Sequence, residues 1–269
     1  MPTIRPEVPQ EPHRLRQVAE SFGVNPERYD RTRPRYPEAL VRRVIAESPG
    51  PELLDIGCGT GIAARQFRAH GCRMLGVEPD SRMAEFARQS GIPVEVATIE
   101  NWDPANRTFD AAIAAQTWHW VDPVAGAAKV ARILRPRGRI ALFWNAFQPP
   151  ASVMDAFWAA FRQAVPDSPF DPGAVTSAID SYQHMIDTAT TGIRAAARFD
   201  EPEQWRFDWE LDYTRDAWLD LLPTQGPLTR LSDEQQAPIH DAVGAAIDAL
   251  GGSFTMPYTT LAVTAIRQR

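Results

Sequence analysis

One stretch constrains this chain more than any other. Leu53-Leu54-Asp55-Ile56 is a short apolar run, Gly57-Cys58-Gly59-Thr60-Gly61 follows it, and a helical pattern begins at once over 61–69. Glycines at such a point let the backbone turn sharply and let a ligand come close to the main chain. The helix that opens there points its free N–H groups at whatever the loop holds. A strand, a glycine turn and a helix in immediate succession begin a βαβ unit, and the pattern downstream continues that rhythm. Strands are expected over 52–56, 73–77, 93–97, 109–115 and 139–144, with helices over 81–89 and 123–134. Upstream, a helix is expected from Pro37, whose apolar positions Leu40, Val41, Val44 and Ile45 share one face. Alternation of this kind predicts an α/β, Rossmann-like, mostly parallel sheet with helices on both faces.

The rhythm changes after Asn145. Pro149-Pro150 marks a boundary, and a helix with Met154, Phe157, Trp158 and Phe161 on one face is expected over 153–165. Residues 166–200 read as irregular or loosely helical. Strands are expected over 204–211 and 258–266, and helices over 216–222 and 233–250, the second stopped by Gly251-Gly252. This divides the chain into an N-terminal arm and lid (1–36), a ligand-binding core (37–149), a helical cap with one core strand (150–256) and a final core strand (257–269). Residues 1–12, with four prolines, read as disordered.

The acid that follows the loop narrows the ligand. The second strand ends in Gly76-Val77-Glu78, and a carboxylate at that edge accepts hydrogen bonds from both hydroxyls of a ribose. A dinucleotide site wants glycine at position 62, where this chain has Ile62. Asp55, two residues before the first glycine, disfavours a diphosphate and suits an ammonium. Charge therefore favours S-adenosylmethionine, which carries an amino group and a sulfonium and no phosphate.

With these residues in place, the stretch from about 20 to 145 resembles class I S-adenosylmethionine-dependent methyltransferases. It resembles most the small-molecule branch that includes ubiquinone/menaquinone-type and trans-aconitate-type enzymes. The resemblance implies a seven-stranded sheet ending in an antiparallel strand. It implies that Asp55, Gly57, Cys58 and Gly59 surround the methionine part of the donor, that Glu78 binds the ribose, and that Pro79 and Met83 flank the adenine. Thr98-Ile99-Glu100 occupies the place of a segment that reaches the adenine, with Thr98 where the family often has aspartate and Glu100 also readable as a helix-start acid. Gln116, at the end of the fourth strand, is implied near the sulfonium. His119 is the candidate catalytic group, as base or as orienting group, and Trp120 is expected to pack against the fold. Tyr29 and Arg33, with Arg35 and Tyr36, resemble a lid segment in which an arginine pairs with the donor carboxylate.

The expected activity is methyl transfer to a small-molecule acceptor. A donor-binding protein without transfer activity and a nicotinamide-dependent oxidoreductase are the alternatives. Composition excludes other classes. The net charge of −6 and the lack of a basic patch argue against nucleic acid. No apolar run approaches a membrane span, and the N-terminus lacks the apolar stretch of a secretory signal, so a cytoplasmic location is expected. The two cysteines, Cys58 and Cys72, lack metal-ligand spacing.

Overall fold

The computed structural model describes residues 21–166 and 178–269, without the side chains of 178–181. The expectation for residues 1–12 lies outside the described residues. The strands are β1 (Glu52–Ile56), β2 (Arg73–Glu78), β3 (Val94–Val96), β4 (Phe109–Ala115), β5 (Leu134–Phe147), β6 (Glu203–Thr214) and β7 (Ser253–Ile266). The helices are α1 (Pro26–Thr32), α2 (Glu38–Ala46), α3 (Ile62–Ala69), α4 (Ser81–Gln89), α5 (Pro123–Ile133), α6 (Ala151–Ala164), α7 (Ala178–Ala195), α8 (Arg215–Leu221) and α9 (Asp233–Ala249). One sheet runs β3-β2-β1-β4-β5-β7-β6. β1 to β5 are parallel, and β7 runs antiparallel between β5 and β6. This is the seven-stranded Rossmann-like sheet expected from the sequence.

Alternation along the central strands builds two cores, because successive side chains leave a strand on opposite faces. Leu54, Ile56, Ala112, Ala114, Ile140, Leu142 and Trp144 face α5 and α7. Leu53, Ala111, Ile113, Ala141 and Phe143 face α2, α3 and α4. A third cluster lies in the cap, where Val153, Phe157 and Phe161 of α6 meet Trp218, Ile239, Val243 and Ile247. Asp80 caps α4 by accepting from the Arg82 amide, and Asp122 caps α5 by accepting from Val124 and Ala125.

Three segments correct the sequence reading. β5 runs Leu134–Phe147 rather than 139–144, with Leu134 paired to Phe109 ahead of a register shift. Within 166–200, residues 178–195 form the continuous helix α7, whose Ile186, Ala189 and Ile193 pack on the sheet. Its threonines and Gly192 are poor helix formers, so propensity hid it. The glycine has a packing reason: a Cβ there would collide with the Pro123 carbonyl at the start of α5. β7 begins five residues earlier than expected, at Ser253 rather than Tyr258. Pro257 masked this stretch, since proline rarely occupies a central strand. Here Pro257 is opposite Glu210 of β6, beyond the last β5 pairing at Phe147–Tyr258, so its missing N–H breaks no bond on the β5 side.

Candidate functional site

A parallel sheet of this order has a switch point where neighbouring strands send their connections to opposite faces, and a crevice opens beyond their C-terminal ends. Here β1 lies between β2 and β4, and the crevice is a cavity of about 300 Å³. Its walls come from the loop after β1, the ends of β2 and β4, the segment after β3, the N-terminal arm, α7 and the turn at Gln225-Gly226.

The glycine loop is held by amides that donate to β2. Gly57 has φ +60° and donates to the Val77 carbonyl at 2.7 Å. Gly59 has φ +55°, donates to Glu78 Oε2 at 2.8 Å, and would point a Cβ into open space. Both glycines line the cavity; Cys58 does not. The Cys58 thiol turns back against Gly76, and burial, the largest cause, raises its pKa well above the ordinary thiol value. Asp55 is also behind the wall. It is fully buried, neither carboxylate oxygen makes a hydrogen bond of normal geometry, and the Ala64 amide offsets its burial only in part. Burial, with the nearby Glu78 charge second, raises its pKa to about 8.

Glu78 closes β2 and does reach the cavity. Its Oε1 accepts from the Asp80 amide at 3.0 Å and its Oε2 from Gly59. Burial raises its pKa to about 7 despite those two amides, which pull it down. A carboxylate has about four lone-pair positions, so two remain for ligand hydroxyls. Beside it, Pro79 and the buried Met83 line the same wall, as do Thr98, Ile99 and Glu100. Glu100 is not at the start of its own helix: its Oε1 accepts from the Asp122 amide at 3.2 Å, at the N-cap of α5.

The arm closes the opposite side. Tyr29 and Arg33 both line the cavity, and the Arg33 guanidinium lies 4.8 Å from the Tyr29 ring centroid. Arg33 donates one N–H to the Thr224 carbonyl, while its Nε is enclosed without a partner. Arg35 is turned away, 3.8 Å from Asp30 and half exposed. Asp30 also pairs with Arg65 of α3, and Arg28 and Arg31 pair with Asp220 of α8, so the arm is tied to core and cap.

The end of β4 supplies the remaining wall. Gln116 has φ +58°, a left-handed conformation uncommon outside glycine, and such strained residues concentrate at functional sites. Its amide bonds the Phe143 carbonyl at 2.9 Å, and its side chain donates to the Asn145 carbonyl at 3.3 Å. His119 and Trp120 line the cavity, whereas Trp118 is buried in the sheet core. This corrects the expectation for Trp120: the neighbouring tryptophan is the one that packs. Sequence reasoning missed Tyr182, Met185 and Asn145, which also line the cavity. The first two are on the helix that propensity hid; Asn145 carried no signal beyond its place at a strand end.

These residues fit a nucleoside with a polar zwitterionic tail. Glu78 offers acceptors to a ribose, Met83 and Ile99 offer apolar surface to a flat base, and the unpartnered Arg33 Nε offers a donor to a carboxylate. No group of three or more His, Cys, Asp or Glu placed to hold a metal occurs among the described residues.

Residues 54–142 match the model of a family described as a methyltransferase domain. An uncharacterized methyltransferase of Mycobacterium tuberculosis is 35% identical over 133 residues, covering 48% of this chain and 54% of that protein. A demethylmenaquinone methyltransferase of Corynebacterium kroppenstedtii is 26% identical, covering 46% and 58%. The matches thus span about half the length of these curated relatives. Among solved structures, a protein assigned as a type II methyltransferase from Anaeromyxobacter dehalogenans superposes with TM-score 0.62 at 24% identity, covering 87% of this chain and 97% of that one. At that identity the likeness concerns the fold.

Proposed function

We propose, on the premise that residues 54–142 form a class I S-adenosylmethionine-dependent methyltransferase domain, that the chain transfers a methyl group to a small molecule bound in the same cavity. The observation that carries this is one cavity bounded by Glu78 on the sheet side and by Arg33 on the arm side. Glu78 would hold the ribose, and the free Nε of Arg33 would take the donor carboxylate. Pro79, Met83, Thr98 and Ile99 would frame the adenine. Gly57 and Gly59 let the donor approach the main chain, and Gln116 stands at the reacting end.

Bound S-adenosylmethionine supplies a methyl group already activated on sulfur. What the chain must add is placement of the acceptor in line and exclusion of water. The arm supports the second role, since its ion pairs to α3 and α8 hold it across the opening. Tyr182, Met185 and Trp120 would then form the acceptor side. The acidic net charge argues against a nucleic-acid acceptor and leaves a small molecule as the favoured one.

Calorimetry with S-adenosylhomocysteine and with NAD tests the donor. We expect binding of the first and none of the second, because Ile62 stands where a dinucleotide loop needs glycine. Tight NAD binding would overturn the reading. Glu78→Ala is expected to weaken S-adenosylhomocysteine by about 1–3 kcal/mol, the range for a lost hydrogen bond to a charged group. Equal affinity in the variant would remove Glu78 from the site. A labelled-donor assay across carboxylic acids, phenols and amines separates an enzyme from a protein that only binds the donor.

A further inference from the structure

His119 reaches the cavity from the 3₁₀ turn Trp118–Trp120 that follows β4, with its ring 4.6 Å from that of Trp120. Behind it, on β5, is Trp144, which is 1% exposed. The Trp144 indole Nε1 donates to His119 Nδ1 at 3.3 Å. An indole nitrogen can only donate. The Nδ1 it meets must therefore carry a lone pair, and a neutral imidazole with a bare Nδ1 bears its proton on Nε2. Burial lowers the His119 pKa to about 4, with no other cause acting on it. The ring is thus neutral at physiological pH, one nitrogen is engaged by Trp144, and the other holds a proton.

We infer that Trp144 is a positioning residue that locks His119 as an N–H donor toward the acceptor side of the cavity, where it serves a reacting group presenting an oxygen lone pair. This rests on the donor-and-acceptor reading of the cavity above, and it decides between the two roles open to His119. A ring whose Nδ1 is engaged and whose Nε2 is protonated has no site left to take a proton from the acceptor. It can fix an oxygen by donating to it, so the acceptor oxygen enters already ionised, as a carboxylate is at neutral pH. The surrounding wall agrees: Tyr182 and Gln116 share it, and Met185 and Trp120 add apolar surface that orients a small body without removing a proton.

The test is ¹⁵N NMR of the full chain labelled at histidine, with the His119 signals assigned by their loss in His119→Gln. At pH 7 we expect the signature of a bare Nδ1 and a protonated Nε2, unchanged on lowering the pH to 5. A protonated Nδ1, or an imidazolium at pH 6, would overturn the inference. In Trp144→Phe, which keeps an aromatic ring but no donor, the two tautomers should mix; an unaltered signature removes Trp144 from the role. The wild-type spectrum decides the tautomer even if that variant fails to fold. In protein saturated with S-adenosylhomocysteine, benzoate should shift the Nε2–H resonance and benzylamine should not. A shift with benzylamine, or none with benzoate, overturns the oxygen-acceptor part. Calorimetry with S-adenosylhomocysteine reports the donor reading separately, so each can fail without the other.

Discussion

In the ligand-free protein, Asp55→Asn is expected to flatten the fall in stability between pH 4 and pH 8. Asp55 is fully buried, its oxygens lack a regular hydrogen bond, and its pKa is raised to about 8, chiefly by burial. The direction follows from linkage. Below the unfolded-state value of about 3.9 both states hold the proton and pH has no effect through this group. As pH rises, the unfolded chain ionises while the folded one keeps its proton, so the folded state loses ground until pH passes the folded value. Glu78, raised to about 7 by burial, adds in the same direction. A shift of about four units bounds the Asp55 effect at roughly 5–6 kcal/mol, and a realised loss of several kcal/mol is expected. The amide of asparagine is equally buried but does not titrate, so the slope with pH is the informative quantity, more than stability at one pH. Thermal midpoints of both proteins across that range check this, and parallel curves would refute it. S-adenosylhomocysteine, which carries an ammonium group, should also reduce the wild-type slope if its charge comes near Asp55.

The second large effect is expected at Gly57. Its φ of +60° is costly for any residue with a side chain, and a Cβ there would strike Thr117 Oγ1. Gly57→Ala should therefore cost about 1–3 kcal/mol for the backbone and a comparable amount for the collision. It should also push the loop off the donor, lowering affinity for S-adenosylhomocysteine at least tenfold. Gly57→Ala combined with Thr117→Gly separates the two causes. The double variant should regain the steric part of the stability and keep the backbone part. Gly59→Ala is the contrast, because its φ is +55° but its Cβ meets nothing within 4 Å. It should fold with only the backbone penalty and still lose donor affinity, since that open space belongs to the cavity. Chemical denaturation and calorimetry on the three variants test this; equal stability of Gly57→Ala and wild type would sink it.

Much of the sheet was legible because its strands obey simple rules. β1, α4 and β4 have the bounds expected from apolar runs and helical spacing. α7 was hidden because its threonines are poor helix formers and its Gly192 answers to a close approach by α5, a tertiary fact that propensity does not contain. Within the site, the glycines and Glu78 were readable because backbone conformation and strand register dictate them. The placement of Asp55 and Cys58 behind the wall was not: the pattern gives the strand end, but the loop's bonds to Val77 and Glu78 decide which atoms face the cavity. The left-handed turn at Gln116 has no sequence signature, and which of Trp118 and Trp120 faces inward depends on one 3₁₀ turn.

The order of the strands also bears on how the chain is made. β1 to β5 come from one stretch ending at Phe147, whereas the strand that covers β5 starts at Ser253, after the cap. As synthesis proceeds from the N-terminus, the donor half can assemble while the backbone N–H and C=O groups along one side of β5 still lack a strand. The cap must emerge before β7 can pair, so closing the sheet is a long-range, late event. A nascent chain halted before Ser253 would hold a nearly formed donor site beside an open β5 edge, the species most exposed to sticking to its neighbours.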